Sequence, residues 1–126
     1  MPETMQKTIV VVEDEQDAAE MFAEMMRVNG FRVLKASGSG LAIPMIEQEI
    51  PAAVILDIMM PDVSGLELLR YIRHEPKLAG IPVIVVSAKS LPGDIKTGLE
   101  AGASVYLTKP VDYQDLKDAV EKVLGT

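Results

Sequence analysis

The sequence predicts one α/β domain, spanning residues 1–126, in which five strand–helix units form a parallel sheet. Two patterns predict it. Short, nearly continuous apolar runs recur along the chain, and such runs are typical of strands buried on both faces. Amphipathic helical patterns separate them, and short alternating units favour a parallel sheet with helices on both faces. The length of 126 residues also fits one domain, because domains usually have about 100–200 residues.

Five segments are predicted to be strands. The three strongest are apolar runs rich in β-branched residues, which favour strands, at Thr8–Val12, Ala53–Leu56 and Val83–Val86. Arg32–Ala36 and Ser104–Leu107 are weaker candidates. Together they place a strand before each predicted helix.

Three helices are predicted from apolar residues that recur every three or four positions. These residues are Ala18, Phe22 and Met25 in the first helix, Gly65, Leu69 and Ile72 in the third, and Leu116, Val120, Val123 and Leu124 in the fifth. Gly30 is the expected C′ residue of the first helix. Ser64 and Asp112 are the expected N-caps of the third and fifth helices.

The second and fourth helices are predicted to be less regular. The second follows a Gly-Ser-Gly segment at 38–40, and Pro44 should delay its start or kink it. The fourth, within Leu91–Ala101, should be short and weakly held, because Pro92, Gly93 and Gly98 fall inside it.

Composition excludes several classes of function. The chain has 12 basic and 19 acidic residues and a net charge of −7, which disfavours direct binding to nucleic acid or to anionic membranes. It has no cysteine and one histidine, His74, so thiol chemistry and multi-histidine metal centres are excluded. No apolar run approaches the roughly 20 residues of a membrane span, and the N-terminus does not resemble a signal peptide. We therefore expect a cytoplasmic protein.

Polar residues follow four of the five predicted strands. Glu13 and Asp14 come after the first, Asp57 after the third, Ser87 after the fourth and Lys109 after the fifth. Each alone has a simpler interpretation as a helix cap, a turn residue or a solvated charge. Because the carboxyl ends of parallel strands share one edge of a sheet, where ligands bind in open α/β folds, their conjunction predicts a cleft.

The charges of these residues indicate the chemistry of the cleft. Two unit charges about 4 Å apart interact by roughly 4 kcal/mol at an effective dielectric of 20, so three clustered carboxylates demand a cation. Oxygen ligands select a hard cation, Mg²⁺ or Ca²⁺, and few carboxylates with several water positions favour Mg²⁺. An ammonium and a hydroxyl complete a site suited to a phosphoryl group. An aspartate there can itself be the nucleophile.

With these features the chain resembles the receiver domain of bacterial two-component response regulators, of the single-domain type seen in the chemotaxis regulator. Four motifs carry the resemblance, namely VVVEDE at 10–15, ILDIMMPDVSG at 55–65, VIVVSAKS at 83–90 and AGASVYLTKPVD at 101–112. The resemblance implies a flavodoxin-like, doubly wound (βα)5 fold whose five-stranded parallel sheet has the order 2-1-3-4-5.

The resemblance also implies how the acceptor and its metal are held. Asp57 would accept a phosphoryl group from the phosphohistidine of a sensor histidine kinase or phosphotransfer protein. Asp14, Asp57 and the backbone carbonyl of Met59 would bind Mg²⁺, and Glu13 would hold the water shell of the metal. Met59 and Lys89 stand at the positions that tune the lifetime of the phosphoryl group in this family.

The remaining roles concern the response to phosphorylation. Lys109 would pair with the phosphoryl oxygens, and Ser87 would bond one of them when the domain switches. Tyr106 would be the aromatic switch and move inward with Ser87. The Lys109–Pro110 peptide bond would be cis. Pro61 and Gly65 would shape the loop and the third helix.

The leading prediction is therefore a phosphorylation-dependent signalling switch. The face formed by the fourth helix, the fifth strand and the fifth helix would change to control a downstream protein or a second copy of the chain. The chain would not be an enzyme beyond promoting its own phosphorylation and dephosphorylation. Two alternatives stay open, a phosphorylation-independent interaction module of the same fold and a Mg²⁺-dependent phosphatase or phosphotransferase acting on small molecules.

Overall fold

The computed structural model describes residues 6–60 and 64–125 and consists of five strands and five helices in alternation. The strands are β1 Thr8–Val12, β2 Arg32–Ala36, β3 Ala53–Asp57, β4 Val83–Ser87 and β5 Val105–Thr108. The helices are α1 Gln16–Val28, α2 Ser39–Glu49, α3 Gly65–His74, α4 Pro92–Glu100 and α5 Tyr113–Leu124. Pro61, which sequence reasoning assigned to the loop before α3, lies outside the described residues.

All strand pairs are parallel, and the sheet order is β2-β1-β3-β4-β5, as predicted. The ends of three strands differ from the prediction by one residue. β3 continues to Asp57 and β4 to Ser87, while β5 is shifted to Val105–Thr108. The pairing explains this, because Asp57 lies opposite Val86, and Ser87 lies opposite the last residue of β5. Two polar residues of the predicted cleft are therefore held within the sheet.

The strands alternate their side chains between two apolar cores, one on each face of the sheet. One core includes Ile46 of α2 and Leu69 of α3. The other includes Phe22 of α1 and Leu116 of α5. With helices packed on both faces, the central strands read as nearly continuous apolar runs, which is the pattern that predicted them.

The predicted helix ends are confirmed. Gly30 follows α1 with φ +88°, the left-handed conformation that glycine adopts readily. The side chain of Ser64 accepts a hydrogen bond from Leu66 N at 3.1 Å and caps α3. The side chain of Asp112 accepts one from Asp115 N at 2.8 Å and caps α5.

The predicted delay at Pro44 is wrong. Helix α2 begins at Ser39, five residues earlier, and includes Pro44. A proline at this position removes the N–H that would bond the carbonyl of Gly40. Gly40 and Pro44 are both exposed, so water can satisfy that carbonyl and an early start is tolerated.

Helix α4 is short, as predicted, and packs sparingly. Of its nine residues, all described, Gly98 alone is buried. The loop after α4 is held by a side chain of α3, because the guanidinium of Arg73 donates to Gly102 O at 2.8 Å. The same guanidinium also donates to Ile81 O at 2.6 Å and Ala79 O at 3.2 Å, in the segment before β4. Gly102 has φ +117°, and a Cβ there would lie 2.5 Å from Arg73 Cγ, so this junction requires glycine.

None of the helices within residues 6–60 and 64–125 is long and apolar enough to cross a membrane.

Candidate functional site

The sheet brings four of the predicted site residues to one edge. Asp57 and Ser87 are the last residues of β3 and β4, and Glu13 and Lys109 directly follow β1 and β5. Backbone hydrogen bonds hold the two residues that follow strands, since Glu13 N donates to Ala36 O at 3.0 Å and Lys109 N donates to Ser87 O at 2.8 Å. The predicted polar residues therefore share one edge of the sheet, at strand ends or directly after them.

One ammonium group joins two buried carboxylates at the centre of this edge. Lys109 Nζ lies 2.6 Å from Glu13 Oε1 and 3.1 Å from Asp57 Oδ2. Glu13 is 2% exposed and Asp57 5%. Charge-assisted contacts of this length are strong because the surrounding protein excludes water. Sequence reasoning expected Lys109 and the acidic residues to meet, but not that Lys109 would contact Glu13 directly.

The protonation of this cluster is set by burial and by charge. Burial raises the pKa of Glu13 to about 6, and the charge of Asp57 adds to this, although the hydrogen bond from Lys109 acts the other way. Burial disfavours the charged form of Lys109, but its hydrogen bonds with Glu13 and Asp57 outweigh that and raise its pKa. Lys109 therefore remains an ammonium at neutral pH.

The residues present fit a hard divalent cation. One carboxylate oxygen from each of Glu13, Asp14 and Asp57 lies within 4.8 Å of the others. Asp14 is exposed, so solvent reaches this side of the cluster. Carboxylate oxygens together with water are the ligand set that Mg²⁺ accepts. When all three are ionised, Lys109 neutralises only part of their charge, so the cluster would gain from a cation.

The segment after β3 orients the Asp57 carboxylate. Met59 N donates to Asp57 Oδ1 at 2.8 Å, so each carboxylate oxygen has its own donor. The start of α3 closes over this segment, and a Cβ on Gly65 would lie 2.4 Å from Ile58 Cα and 2.7 Å from Asp57 O. Gly65 is thus required for α3 to approach the strand end. The side chain of Met59 is 49% exposed beside the site.

Ser87 and Tyr106 both form hydrogen bonds with the backbone of Lys89. Ser87 is fully buried, and its Oγ accepts a hydrogen bond from Lys89 N at 3.1 Å. Tyr106 is half-buried, and its hydroxyl donates to Lys89 O at 2.8 Å. The two side chains predicted to move together are therefore linked by one peptide segment. The side chain of Lys89 is exposed, and the Lys109–Pro110 bond is cis, the isomer that the resemblance implies.

Sequence reasoning missed one contact of Tyr106 and the role of Arg73. Gly98 was counted only as a helix-weakening residue, whereas in the structure it lies against the Tyr106 ring. Arg73 was assigned no role, whereas it bonds three backbone carbonyls just before β4 and β5, at the opposite edge of the sheet from the site. Neither contact leaves a periodic pattern in the sequence, because each joins different elements of the fold.

Comparison with known proteins places this geometry in a family. The family profile described as "Response regulator receiver domain" matches residues 9–121. The polar-differentiation response regulator DivK of Brucella ovis is 26% identical over 121 residues, which cover 96% of this chain and 98% of DivK. The probable transcriptional regulatory protein TcrX of Mycobacterium tuberculosis is 37% identical over 109 residues, and the match spans 46% of TcrX.

Solved structures show the same architecture. A CheY-like response regulator receiver domain protein from Methanospirillum hungatei superposes with a TM-score of 0.87 at 28% identity, covering 95% of this chain and 94% of that one. The chemotaxis response regulator CheY4 of Vibrio cholerae superposes with a TM-score of 0.89 at 21% identity, covering 95% of this chain and 100% of that one. The second likeness concerns the fold alone.

Proposed function

The chain belongs to the response regulator receiver domain family of two-component signalling, and from that premise we propose that it is a phosphorylation-dependent switch whose acceptor is Asp57. The phosphoryl donor would be the phosphohistidine of a sensor histidine kinase or of a phosphotransfer protein. One observation carries the proposal: the Asp57 carboxylate lies at the edge of the sheet with Met59 N on one oxygen and Lys109 Nζ beside the other, within a three-carboxylate cluster.

The proposed transfer is a displacement at phosphorus. A carboxylate oxygen of Asp57 forms an O–P bond as the P–N bond of the phosphohistidine breaks, and the leaving imidazole takes its proton from solvent. The hydrogen bond from Met59 N holds the carboxylate in place. Lys109, kept cationic by its raised pKa, lies where the transferred group would bring negative charge. Preorganised positive charge of this kind stabilises the transition state.

Glu13, Asp14 and Asp57 are the side chains that would hold Mg²⁺, with the backbone carbonyl of Met59 as a further ligand. When bound, the cation would neutralise charge on the phosphoryl oxygens. The protein's own part is to keep these carboxylates close together in spite of their repulsion. Buried apolar strands on both sides of β3 supply the rigidity that this requires.

The response would begin with new contacts to the phosphoryl group. Lys109 and Ser87 would bond its oxygens, so Ser87 Oγ would give up the hydrogen bond that it now accepts from Lys89 N. Tyr106 would then move with that segment, and the α4–β5–α5 face would present a different surface to a downstream protein or a second copy of the chain. Such differential contacts are what any population shift requires. Met59 and Lys89, both exposed beside the site, would tune the lifetime.

The proposal extends to what the chain does not do. It would turn over no substrate other than its own aspartyl phosphate, and it would act in the cytoplasm without binding nucleic acid or a membrane directly. The net charge of −7 supports the last point, because affinity for phosphate-rich surfaces comes mainly from basic residues.

Labelling with a small phosphodonor tests the proposal. Wild-type protein in Mg²⁺ and acetyl phosphate should gain one phosphoryl group by intact-mass spectrometry. Asp57→Asn should gain none, because an amide is a poor nucleophile. Asp118→Asn, at an exposed position of α5, is the matched control and should label normally. Labelling of Asp57→Asn at the wild-type rate would refute the acceptor assignment. Failure of the wild type to label would favour the phosphorylation-independent interaction module.

A further inference from the structure

Helix α4 contacts the ring of Tyr106 at Gly98, a residue without a side chain. Gly98 is buried, and a Cβ placed on it would lie 2.7 Å from both Cδ2 and Cε2 of Tyr106. Real Cβ atoms do not approach ring carbons so closely. The present position of the ring and a side chain at residue 98 therefore exclude each other.

The glycine that permits this contact lowers the stability of helix α4. Glycine inside a helix is less favourable than alanine because it loses more backbone freedom on folding. Gly98 lies in the last turns of α4, where an alanine would ordinarily be the better residue. Gly93 in the same helix differs, because a Cβ added there meets no heavy atom within 4 Å. The steric requirement is specific to Gly98.

Hydrogen bonds connect the ring that contacts Gly98 to the edge of the sheet where Asp57 and Ser87 lie. The Tyr106 hydroxyl donates to Lys89 O, and Lys89 N donates to Ser87 Oγ. Ser87 ends β4, and Lys109 N is bonded to its carbonyl. A continuous set of contacts thus runs from the last turn of α4, through the tyrosine ring and one peptide segment, to a residue of the site.

We propose that Gly98 is a positioning residue for Tyr106: it leaves the room in which the Cδ2–Cε2 edge of the ring approaches α4 while the hydroxyl reaches the Lys89 carbonyl, and so holds the Ser87 segment in its present arrangement. The relevance of this to signalling rests on the proposed function, but the contact itself does not.

A set of four variants tests the proposal on the unphosphorylated chain. They are Gly98→Ala, Gly93→Ala as the matched control, Tyr106→Ala, and the double variant of Gly98 and Tyr106. With ¹³C-labelled tyrosine, the ring signals of Tyr106 should shift in Gly98→Ala while those of Tyr71 and Tyr113 stay in place. Gly93→Ala should leave all three unchanged. The amide signals of Ser87 and Lys89 should shift between wild type and Gly98→Ala, but not between Tyr106→Ala and the double variant, in which no ring is left to displace.

Thermal unfolding supplies a second readout that a purely helical effect would not reproduce. Gly98→Ala should lower the melting temperature of the wild type by about 3 °C or more. The same change in the Tyr106→Ala background should raise it or leave it unaltered, because the clash is gone and alanine favours the helix. Should Gly98→Ala alone not fold, folding of the double variant still supports the proposal.

Two results would overturn the inference. One is a Tyr106 ring signal that stays at its wild-type position in Gly98→Ala. The other is a change in melting temperature that has the same sign and size with and without the tyrosine ring, which includes loss of folding in both backgrounds. Because no phosphodonor is present, failure here is distinguishable from failure of the labelling experiment at Asp57.

Discussion

Every residue of β3 and β4 is buried, whereas β5, at the edge of the sheet, has three half-buried residues and one exposed residue. The helices follow the same division. α3 and α5 bury four and three residues, but α4 buries only Gly98. Packing density and hydrogen bonding decide which parts of a fold open most easily. The carboxylate that would accept a phosphoryl group thus lies in the rigid centre, while the surface that would report it lies in the loosely packed edge.

The largest expected effect would come from truncating matched leucines in the two regions. Leu56 in β3 is fully buried, so Leu56→Ala should reduce the free energy of unfolding by about 3 kcal/mol, within the usual range for such cavities. Leu107 in β5 is only half-buried, so Leu107→Ala should cost about half as much. Urea denaturation of both variants measures the difference. Equal losses would contradict the division into a rigid centre and a loose edge.

A pH-dependent effect of about 2 kcal/mol should arise from Glu13 in the centre, when divalent metal is chelated. The pKa of its carboxyl group is raised from 4.5 to about 6 in the folded chain. Because the folded chain holds this proton more tightly than the unfolded chain, the contribution is full below pH 4.5 and is lost as the pH rises through about 6.

The variant Glu13→Gln isolates that contribution. The difference in unfolding free energy between wild type and variant should change across this pH range and stay flat above pH 7. A Glu67→Gln variant, which alters an exposed carboxylate of α3, is the control and should show no such change. If the unfolding free energies of wild type and Glu13→Gln change in parallel from pH 4 to pH 7, the pKa of the Glu13 carboxyl group is not raised by folding.

Addition of Mg²⁺ should stabilise the wild type by about 1.4 kcal/mol at ten times the dissociation constant, by mass action. The reason is the mutual repulsion of Glu13, Asp14 and Asp57, which a cation relieves. Asp14→Ala should remove most of the response, and Asp17→Ala, on the exposed first turn of α1, should retain it. Differential scanning calorimetry with and without the metal is the measurement. A response that survives in Asp14→Ala would place the cation elsewhere.

The smallest expected effect is local to the edge. Tyr106→Phe loses one hydrogen bond, to Lys89 O, and should lower global stability by only about 0.5–1 kcal/mol. Amide exchange should nevertheless accelerate around residues 88–91 and not in β3. Tyr71→Phe also loses one hydrogen bond, to Glu47, and should leave the exchange of that segment unchanged. Uniform acceleration across the sheet would mean that the edge does not open separately.

The sequence predicted the centre of this molecule better than its edge, for a physical reason. Buried parallel strands need apolar residues at nearly every position, so Thr8–Val12 and Val83–Val86 are recognised in the sequence as nearly continuous apolar runs. The polar residue that follows such a run is easily seen, and Asp57 and Glu13 were predicted that way. The weaker burial of β5 leaves a weaker pattern, and both its bounds were shifted by one residue, whereas β3 and β4 begin where predicted and extend by one residue at their ends.

The contacts that the sequence could not predict are those between distant segments. The direct bond from Lys109 to Glu13 joins residues 96 positions apart. Periodicity specifies which face of an element is apolar, but not how far a particular ammonium reaches once the sheet has formed. Pro44 is the converse case, because a local rule about proline was overridden in the middle of α2, where solvent reaches the carbonyl of Gly40 that proline leaves without a helical donor.

The bond from Arg73 to Gly102 O, in the loop after α4, makes that helix a lever with one fixed end. Its nine residues span about 13 Å at the usual rise per residue, so a rotation of about 10° about the Gly102 end would displace the Leu91 end by about 2 Å. Leu91 is 69% exposed and lies at the far tip. A binding partner that contacts this tip would meet the full displacement, whereas one that contacts the helix near the Gly102 end would meet almost none.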